Sequence, residues 1–237
     1  MSPIVIKVDF QKDAWNWLSA ILKKQSYGID WQQFIPLTLK KKISNKNEKE
    51  VANLVNSFLK KKYCIRGKKL NKYADNLQKS LNNVADNIFT TMETITEKPI
   101  YRKHFTGFIT TFPRGPYNSK KGYIWFIYDK SNDWQIMAFI HELLHMQFAY
   151  YYKEALLKKI NNEQFSFLKE SMTVIINKEF AHIISEQDKG YEIHREFRKY
   201  LLNLWEHRRG FSQFVNEAVK HIISNSHIVK KYSKTKL

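Results

Sequence analysis

Residues 134–152 read WQIMAFIHELLHMQFAYYY, and apolar side chains occupy nearly every side of the helix that this stretch predicts. Residues 131–133, Ser-Asn-Asp, precede it and have side chains that cap helix N-termini. A helix that is apolar all round is buried, yet this one carries the ionisable side chains of His141, Glu142 and His145. Burial of such groups is costly unless they are paired or bind a cation.

The five residues from His141 to His145 form the pattern H-E-x-x-H. Side chains four residues apart stack on one face of a helix, so the two imidazoles can reach one zinc ion with bonds of about 2.0 to 2.1 Å. Glu142 lies about 100° further around the helix, beside that ion, where it can accept a proton from a water molecule. A hydrogen-bonded cluster of the same three side chains without metal is the alternative.

A catalytic zinc site needs a third protein ligand, and the sequence favours Glu170. Residues 165–184 predict a second buried helix, and the short break at residues 159–164 would return it antiparallel to the first. An exposed Glu170, or one paired with Lys169 or Lys178, is the alternative. Three further residues are weaker candidates for the third ligand: Glu163, Glu179 and His182.

The motif at residues 141–145, followed by a helical Glu170, resembles the gluzincin branch of the zincin metallopeptidases, which includes thermolysin-like enzymes. The likeness covers residues 105–184. It implies one Zn²⁺ per chain, bound by the two histidines and Glu170, with Glu142 as the base in peptide hydrolysis. It further implies that a strand over residues 123–128 forms a sheet edge that can pair with an extended peptide substrate.

The chain departs from two neighbouring patterns. Metzincins have Gly and a third His where this chain has Phe148 and Tyr151, which argues against that branch. Thermolysin-like enzymes usually carry Asp four residues after the glutamate ligand, where this chain has Val174. Thr173 and Asn177 share the face of Glu170 and are the expected substitutes for orienting the imidazoles.

The resemblance also implies a downstream His or Tyr that stabilises the negative charge developing on the attacked carbonyl. Tyr191 and His194 follow the break at Gly190 and are the candidates for that catalytic role. Surface or packing residues are the alternative reading of both. His182 is a weaker candidate for the same role.

The expected fold class is α+β, with a zincin-like core of a small antiparallel sheet and an active-site helix pair, plus an N-terminal helical region. Residues 4–10 predict a strand, and residues 13–97 predict three or four helices. The runs at residues 105–112 and 123–128 predict a β-hairpin. Two further helices are expected over residues 191–209 and 211–224. We therefore expect two regions that pack together as one unit: a mainly helical, basic region over residues 1–98 and a zincin-like catalytic region over residues 99–237.

Composition limits the remaining possibilities. Cys64 is the only cysteine, so no internal disulfide or thiolate-rich metal site can form, and no G-x-S-x-G motif indicates serine catalysis. Lys and Arg outnumber Asp and Glu by 40 to 22, a formal net charge of +18, and residues 37–72 are especially basic. This charge favours an anionic partner, either nucleic acid or an acidic protein, although a solvated lysine face is the alternative. Neither a secretion signal nor a membrane span is evident, so a cytoplasmic location is expected.

The sequence therefore favours a zinc-dependent metallopeptidase acting on a peptide or protein substrate. Two alternatives remain open. One is a zincin-fold protein that is inactive or acts on another acyl substrate. The other is a basic module that binds nucleic acid or another anion.

Overall fold

The computed structural model describes residues 3–23, 25–26 and 29–229 of the 237-residue chain. Within those residues it is a mixed α/β protein with eight α-helices and a small four-stranded sheet, as expected in outline. In chain order the elements are β1 Ile4–Lys7, α1 Phe10–Lys23, β2 Gln25–Ser26, β3 Ile29–Asp30, α2 Leu37–Ile43, α3 Glu48–Thr96, β4 Phe105–Thr110, β5 Tyr117–Asn118, β6 Tyr123–Ile127, α4 Asn132–Leu156, α5 Asn162–Met172, α6 Ile176–Glu179, α7 Arg195–Glu206 and α8 Phe211–Ser224. Short 3-10 turns cover Trp31–Phe34, Thr173–Ile175 and Glu192–His194.

The chain forms two compact units, each assembled from two stretches of sequence. The first comprises Met1–Asn82 and His104–Gln135, and the second comprises Asn83–Lys103 and Ile136–Leu237. The boundaries fall inside α3 and α4, so these units do not coincide with the expected regions 1–98 and 99–237. The reason is the sheet, in which β1 near the N-terminus pairs with β4.

The sheet of the first unit has the order β1-β4-β6-β5. The pairs β1–β4 and β4–β6 are parallel, and only β5 runs antiparallel to β6. The expected antiparallel sheet and the hairpin between residues 105–112 and 123–128 are therefore wrong. The segment between β4 and β6, residues 111–122, is long enough to carry the chain back before β6 begins, and β5 is part of that return.

Strand β6 is an interior strand, so its expected position at the sheet edge is also wrong. On the side away from β4, the Trp125 amide donates to Pro116 at 2.9 Å, and β5 pairs with the start of β6. The Ile127 carbonyl accepts hydrogen bonds from the Tyr73 hydroxyl at 3.2 Å and from the Gln135 side chain. These contacts occupy the backbone groups that an added peptide strand would need.

Strand β1 lies at the edge of the sheet, and α3 covers its outer side. The Ile6 amide donates to Gln78 Oε1 at 2.7 Å, and Gln78 Nε2 donates to the Ile4 carbonyl at 2.8 Å. One glutamine thus satisfies the two backbone groups that a neighbouring strand would bind.

Three helices, α1 to α3, account for most of the described part of residues 13–97, within the three or four expected. Helix α3 alone continues without a break for 49 residues. No proline interrupts α3, and Gly67 is its single glycine. Its buried side chains recur at spacings of three and four over residues 51–59 and again over residues 70–95, with none buried between Leu59 and Leu70. No helix within the described residues is long and apolar enough to cross a membrane.

The second unit contains the helices that carry the candidate site. A capping box between Asn161 and Gln164 begins α5 at the break that the sequence predicts. The expected single helix over residues 165–184 is interrupted, because α5 ends at Met172 and a 3-10 turn precedes α6. The hydroxyl of Thr173 donates to the Glu170 carbonyl at 3.0 Å, a local bond that competes with helical hydrogen bonding.

Candidate metal centre

Helix α4 places His141 and His145 on one face. Their ring centroids are 4.3 Å apart with an angle of 69° between the ring planes. Leu143 and Leu144, between them in sequence, are fully buried and hold the helix in the core. The His145 side chain is 2% exposed and the His141 side chain is 18% exposed, so solvent reaches His141 more readily than His145.

Glu170 of α5 points its carboxylate at the two histidines. Its Oε2 atom lies 3.7 Å from Nε2 of His145 and 3.9 Å from Nε2 of His141. The three potential ligand atoms all lie within 4.8 Å of one another. Ligands around a tetrahedral zinc ion are about 3.3 to 3.5 Å apart, given bonds of 2.0 to 2.2 Å. The donor types therefore fit a zinc ion, and the side chains must close by up to about 1.5 Å at the widest separation to bind it.

The three weaker candidates for the ligand do not belong to this cluster in the described part of the chain. Glu179 instead accepts a hydrogen bond from the Trp205 indole at 2.6 Å and lies 3.5 Å from Arg208. His182 is exposed in the turn after α6, and Glu163 is exposed in the first turn of α5.

Asp188, together with its partner Arg198, is a site residue that the sequence did not indicate. It lies in the loop after α6, and its Oδ1 atom is 3.4 Å from Nδ1 of His141. Both terminal nitrogens of Arg198 donate to Oδ2 of Asp188 at 3.2 Å, and the Gly190 amide donates to Oδ1 at 3.2 Å. Gly190 has φ of +61°, a conformation that favours glycine. A carboxylate held this way fixes the orientation of the imidazole and directs Nε2 towards Glu170.

Thr173 and Asn177, the expected orienting residues, contact Asp188 and Arg198. Arg198 donates to the Thr173 hydroxyl at 2.7 Å. Asn177 accepts from the Asp188 amide at 2.7 Å and donates to the Asp188 carbonyl at 2.9 Å. The connection from Asn177 to the His141 imidazole therefore runs through Asp188.

Lys169 pairs with Glu170 while Glu170 also faces the histidines. Its Nζ atom donates to Oε1 of Glu170 at 2.6 Å, and both residues are buried. The other oxygen, Oε2, is the one directed at the imidazoles. The two readings of Glu170, a lysine partner and a metal ligand, are thus compatible because each uses a different oxygen.

Glu142 contacts Nδ1 of His145, whereas Glu170 contacts Nε2 of the same ring. The Oε2 atom of Glu142 lies 3.3 Å from Nδ1 of His145, and Nζ of Lys169 lies at the same distance from that nitrogen. The Glu142 side chain is 18% exposed, against 5% for Glu170. Glu142 therefore has the more exposed side chain of the two, although its Oε2 atom is itself buried.

The two imidazoles have opposite electrostatic environments. Burial opposes the charge on His141, but Asp188, Glu142 and Glu170 outweigh it and raise its pKa to about 9. Burial, Lys169 and His141 lower the pKa of His145 to about 3. Although burial favours its neutral form, His141 and Arg198 hold the pKa of Asp188 well below its usual range. A cation bound at both Nε2 atoms would displace the proton of His141.

The two residues predicted to stabilise the attacked carbonyl lie next to each other. His194 is fully buried, with its ring centroid 4.9 Å from Phe167 and 5.7 Å from the half-buried Tyr191. Burial lowers the pKa of His194 to about 4, while the Glu170 carboxylate opposes that shift. His194 is therefore neutral at pH 7 and within electrostatic reach of Glu170.

The cluster brings together two nitrogen donors, a carboxylate donor and a more exposed second carboxylate, a combination that can hold a metal ion beside a proton acceptor. Buried side chains of opposite charge surround these donors and hold them in place. No family model, curated protein or solved structure matches the chain.

Proposed function

We propose that the chain is a zinc-dependent peptidase of gluzincin-like design, with His141, His145 and Glu170 as zinc ligands and Glu142 as general base. One observation carries the proposal: two imidazole nitrogens and one carboxylate oxygen converge within 4.8 Å. The far nitrogen of each ring meets a carboxylate, Asp188 for His141 and Glu142 for His145. The Asp188 carboxylate keeps Nδ1 of His141 protonated and leaves Nε2 as its ligand atom, whereas Nδ1 of His145 lies 3.3 Å from both Glu142 and the Lys169 ammonium.

Bound to these three residues, zinc would act as a Lewis acid on a carbonyl and would acidify a water molecule. Glu142 would accept the proton of the attacking water and later deliver it to the departing amine. The neutral His194 and the adjacent Tyr191 are the groups proposed to donate hydrogen bonds to the oxygen of the attacked carbonyl.

Three protein ligands favour catalysis over a purely structural zinc site, because structural sites are closed by four protein ligands. In the described residues the group that could hold a metal has three members. Glu142 lies beside the group and is the more exposed carboxylate, as a base that meets water must be. Hydrolysis of peptides, as opposed to other acyl substrates, rests on the resemblance of the motif.

Cleavage of a fluorogenic peptide library by the purified chain tests the proposal. We expect cleavage to stop with 1,10-phenanthroline and to return when zinc is added. Glu142→Gln should retain zinc and reduce cleavage by about 10² to 10⁴-fold. Glu154→Gln, an exposed position on the same helix, should change neither property.

Cleavage that survives the chelator would exclude a zinc-dependent mechanism. Loss of zinc in Glu142→Gln would instead make Glu142 a ligand. A chain that holds zinc but cleaves no peptide would favour the alternative of an inactive or non-peptidase zinc protein.

A further inference from the structure

A segment of α3, residues 60–72, is basic along its whole length. It reads KKKYCIRGKKLNK and contains six lysines and one arginine but no acidic residue. At a rise of 1.5 Å per residue it extends over roughly 18 Å. The charge of this segment is therefore both dense and of one sign.

The segment is the part of α3 that packs least. No residue between Leu59 and Leu70 is buried, although buried side chains recur every three or four residues on either side. Ile65 is 81% exposed, and a Cβ added at Gly67 would meet nothing within 4 Å. Six of the seven basic side chains are exposed: Lys60, Lys61, Arg66, Lys68, Lys69 and Lys72.

These six side chains lack carboxylate partners in the part of the chain that the structure describes. The ion pairs found there all involve other residues. Neighbouring turns also carry like charges, as Lys68 and Lys72 do at a spacing of four. Burial and the charge of Arg66 lower the pKa of Lys62, the remaining lysine of the segment. Like charges at this spacing destabilise a helix, and a polyanion along it would remove the repulsion.

We propose that residues 60–72 bind the phosphate backbone of nucleic acid without sequence preference. Duplex DNA carries one negative charge per about 1.7 Å when both strands are counted, so a duplex as long as the segment carries about ten phosphates. Lysine acts on phosphate as a point charge, whereas base readout relies on the planar fork of arginine. Lys61, Lys68 and Lys72, at spacings of seven and four, form a stripe on one helix face that can follow such a backbone.

The surface fits nucleic acid better than it fits a membrane or an acidic protein. Ile65 is the one exposed large apolar side chain in the segment, too little for insertion into a bilayer. Protein interfaces depend on buried aromatic and apolar anchors, and the exposed face of this segment has none beyond Ile65. The open space at Gly67 allows a polymer backbone to approach closely.

Fluorescence anisotropy with a labelled 24-base-pair DNA of arbitrary sequence, measured over a range of NaCl concentrations, tests this proposal with the full chain. The variant is Lys61→Gln/Lys68→Gln/Lys72→Gln, and the matched control is Lys103→Gln/Lys158→Gln/Lys159→Gln, three exposed lysines of the second unit. The first variant should weaken binding about tenfold or more at 0.1 M salt and reduce the slope of log K against log salt by about 2 to 3. The control should weaken binding less than threefold.

Acetylation footprinting of the wild-type chain gives a second readout that needs no variant. Bound DNA should protect Lys61, Lys68 and Lys72 from acetic anhydride and leave Lys158 and Lys159 reactive. Equal losses in the two triple variants, or absence of protection, would overturn the assignment. Tighter binding to phosphatidylserine vesicles or to polyglutamate than to DNA at the same salt concentration would overturn it as well.

Discussion

Nδ1 of His141 lies 3.4 Å from Oδ1 of Asp188, and this contact joins the candidate metal centre to the loop after α6. Arg198 holds the other oxygen of the same carboxylate. The Asp188 carboxylate thus pairs with the Arg198 guanidinium and orients the His141 imidazole. The orientation of His141, the first proposed zinc ligand, therefore depends on a residue outside both site helices.

Asp188→Asn should weaken zinc binding by about 10 to 100-fold. The amide lacks the negative charge and one of the two acceptor oxygens, so both His141 and Arg198 lose part of their partner. Competition with a chromogenic chelator measures the Kd. Asp86→Asn, an exposed position on α3, is the control and should bind zinc as the wild type does. An unchanged Kd in Asp188→Asn would show that the contact does not serve the metal.

Lys169→Met should change how Glu170 binds a metal ion. The ammonium holds Oε1 of Glu170 at 2.6 Å and so leaves only Oε2 for the ion. Without it, both carboxylate oxygens can bind, which raises the coordination number. Cobalt(II) in place of zinc reports this change, because its visible absorption is weaker at higher coordination number. Lys178→Met, an exposed lysine of α6, should leave the cobalt spectrum unchanged, and an identical spectrum in Lys169→Met would contradict this role.

His194→Leu should reduce the acid sensitivity of the metal-free protein. Burial lowers the folded-state pKa of His194 to about 4, below the ordinary value of 6.5. The unfolded chain therefore binds more protons between these values, and stability is present above pH 6.5 and lost as the pH falls towards 4. Between pH 7 and 4.5 the wild type should lose about 2 to 3 kcal/mol more unfolding free energy than the variant.

Urea unfolding at the two pH values measures this difference. His182→Leu, at an exposed position, should lose as much stability on acidification as the wild type does. If His194→Leu and the wild type lose the same amount, His194 does not carry the shifted pKa.

The helices and the proposed ligands could be predicted because they depend on short sequence spacings. The predicted span of the last helix, residues 211–224, agrees with α8. The spacing of four between His141 and His145 places both imidazoles on one face of any helix. The break before α5 carries its own capping box, and Glu170 follows from the return of that helix.

The sheet could not be predicted from local patterns, because strand pairing depends on segments far apart in sequence. β1 pairs with β4 about a hundred residues away. One signal was present in the sequence: β6, which reads YIWFI, is continuously apolar, a pattern typical of parallel strands covered on both faces. A hairpin with one solvated face would alternate between apolar and polar residues.

Asp188 and Arg198 were missed because the expected orienting residues were sought on the face of Glu170. Asp188 lies in a loop, and its approach to His141 depends on contacts that hold it to Asn177 of α6 and Arg198 of α7. Its sequence signal was its place in the turn that ends at Gly190, because loops positioned by a rigid scaffold often carry functional residues.

The zinc content of the purified chain, measured by inductively coupled plasma mass spectrometry after dialysis, tests the central claim most directly. The wild type should hold about one zinc ion per chain, and Glu170→Ala should hold far less. A wild type without zinc, or a Glu170→Ala variant with undiminished zinc, would contradict the proposed metal centre.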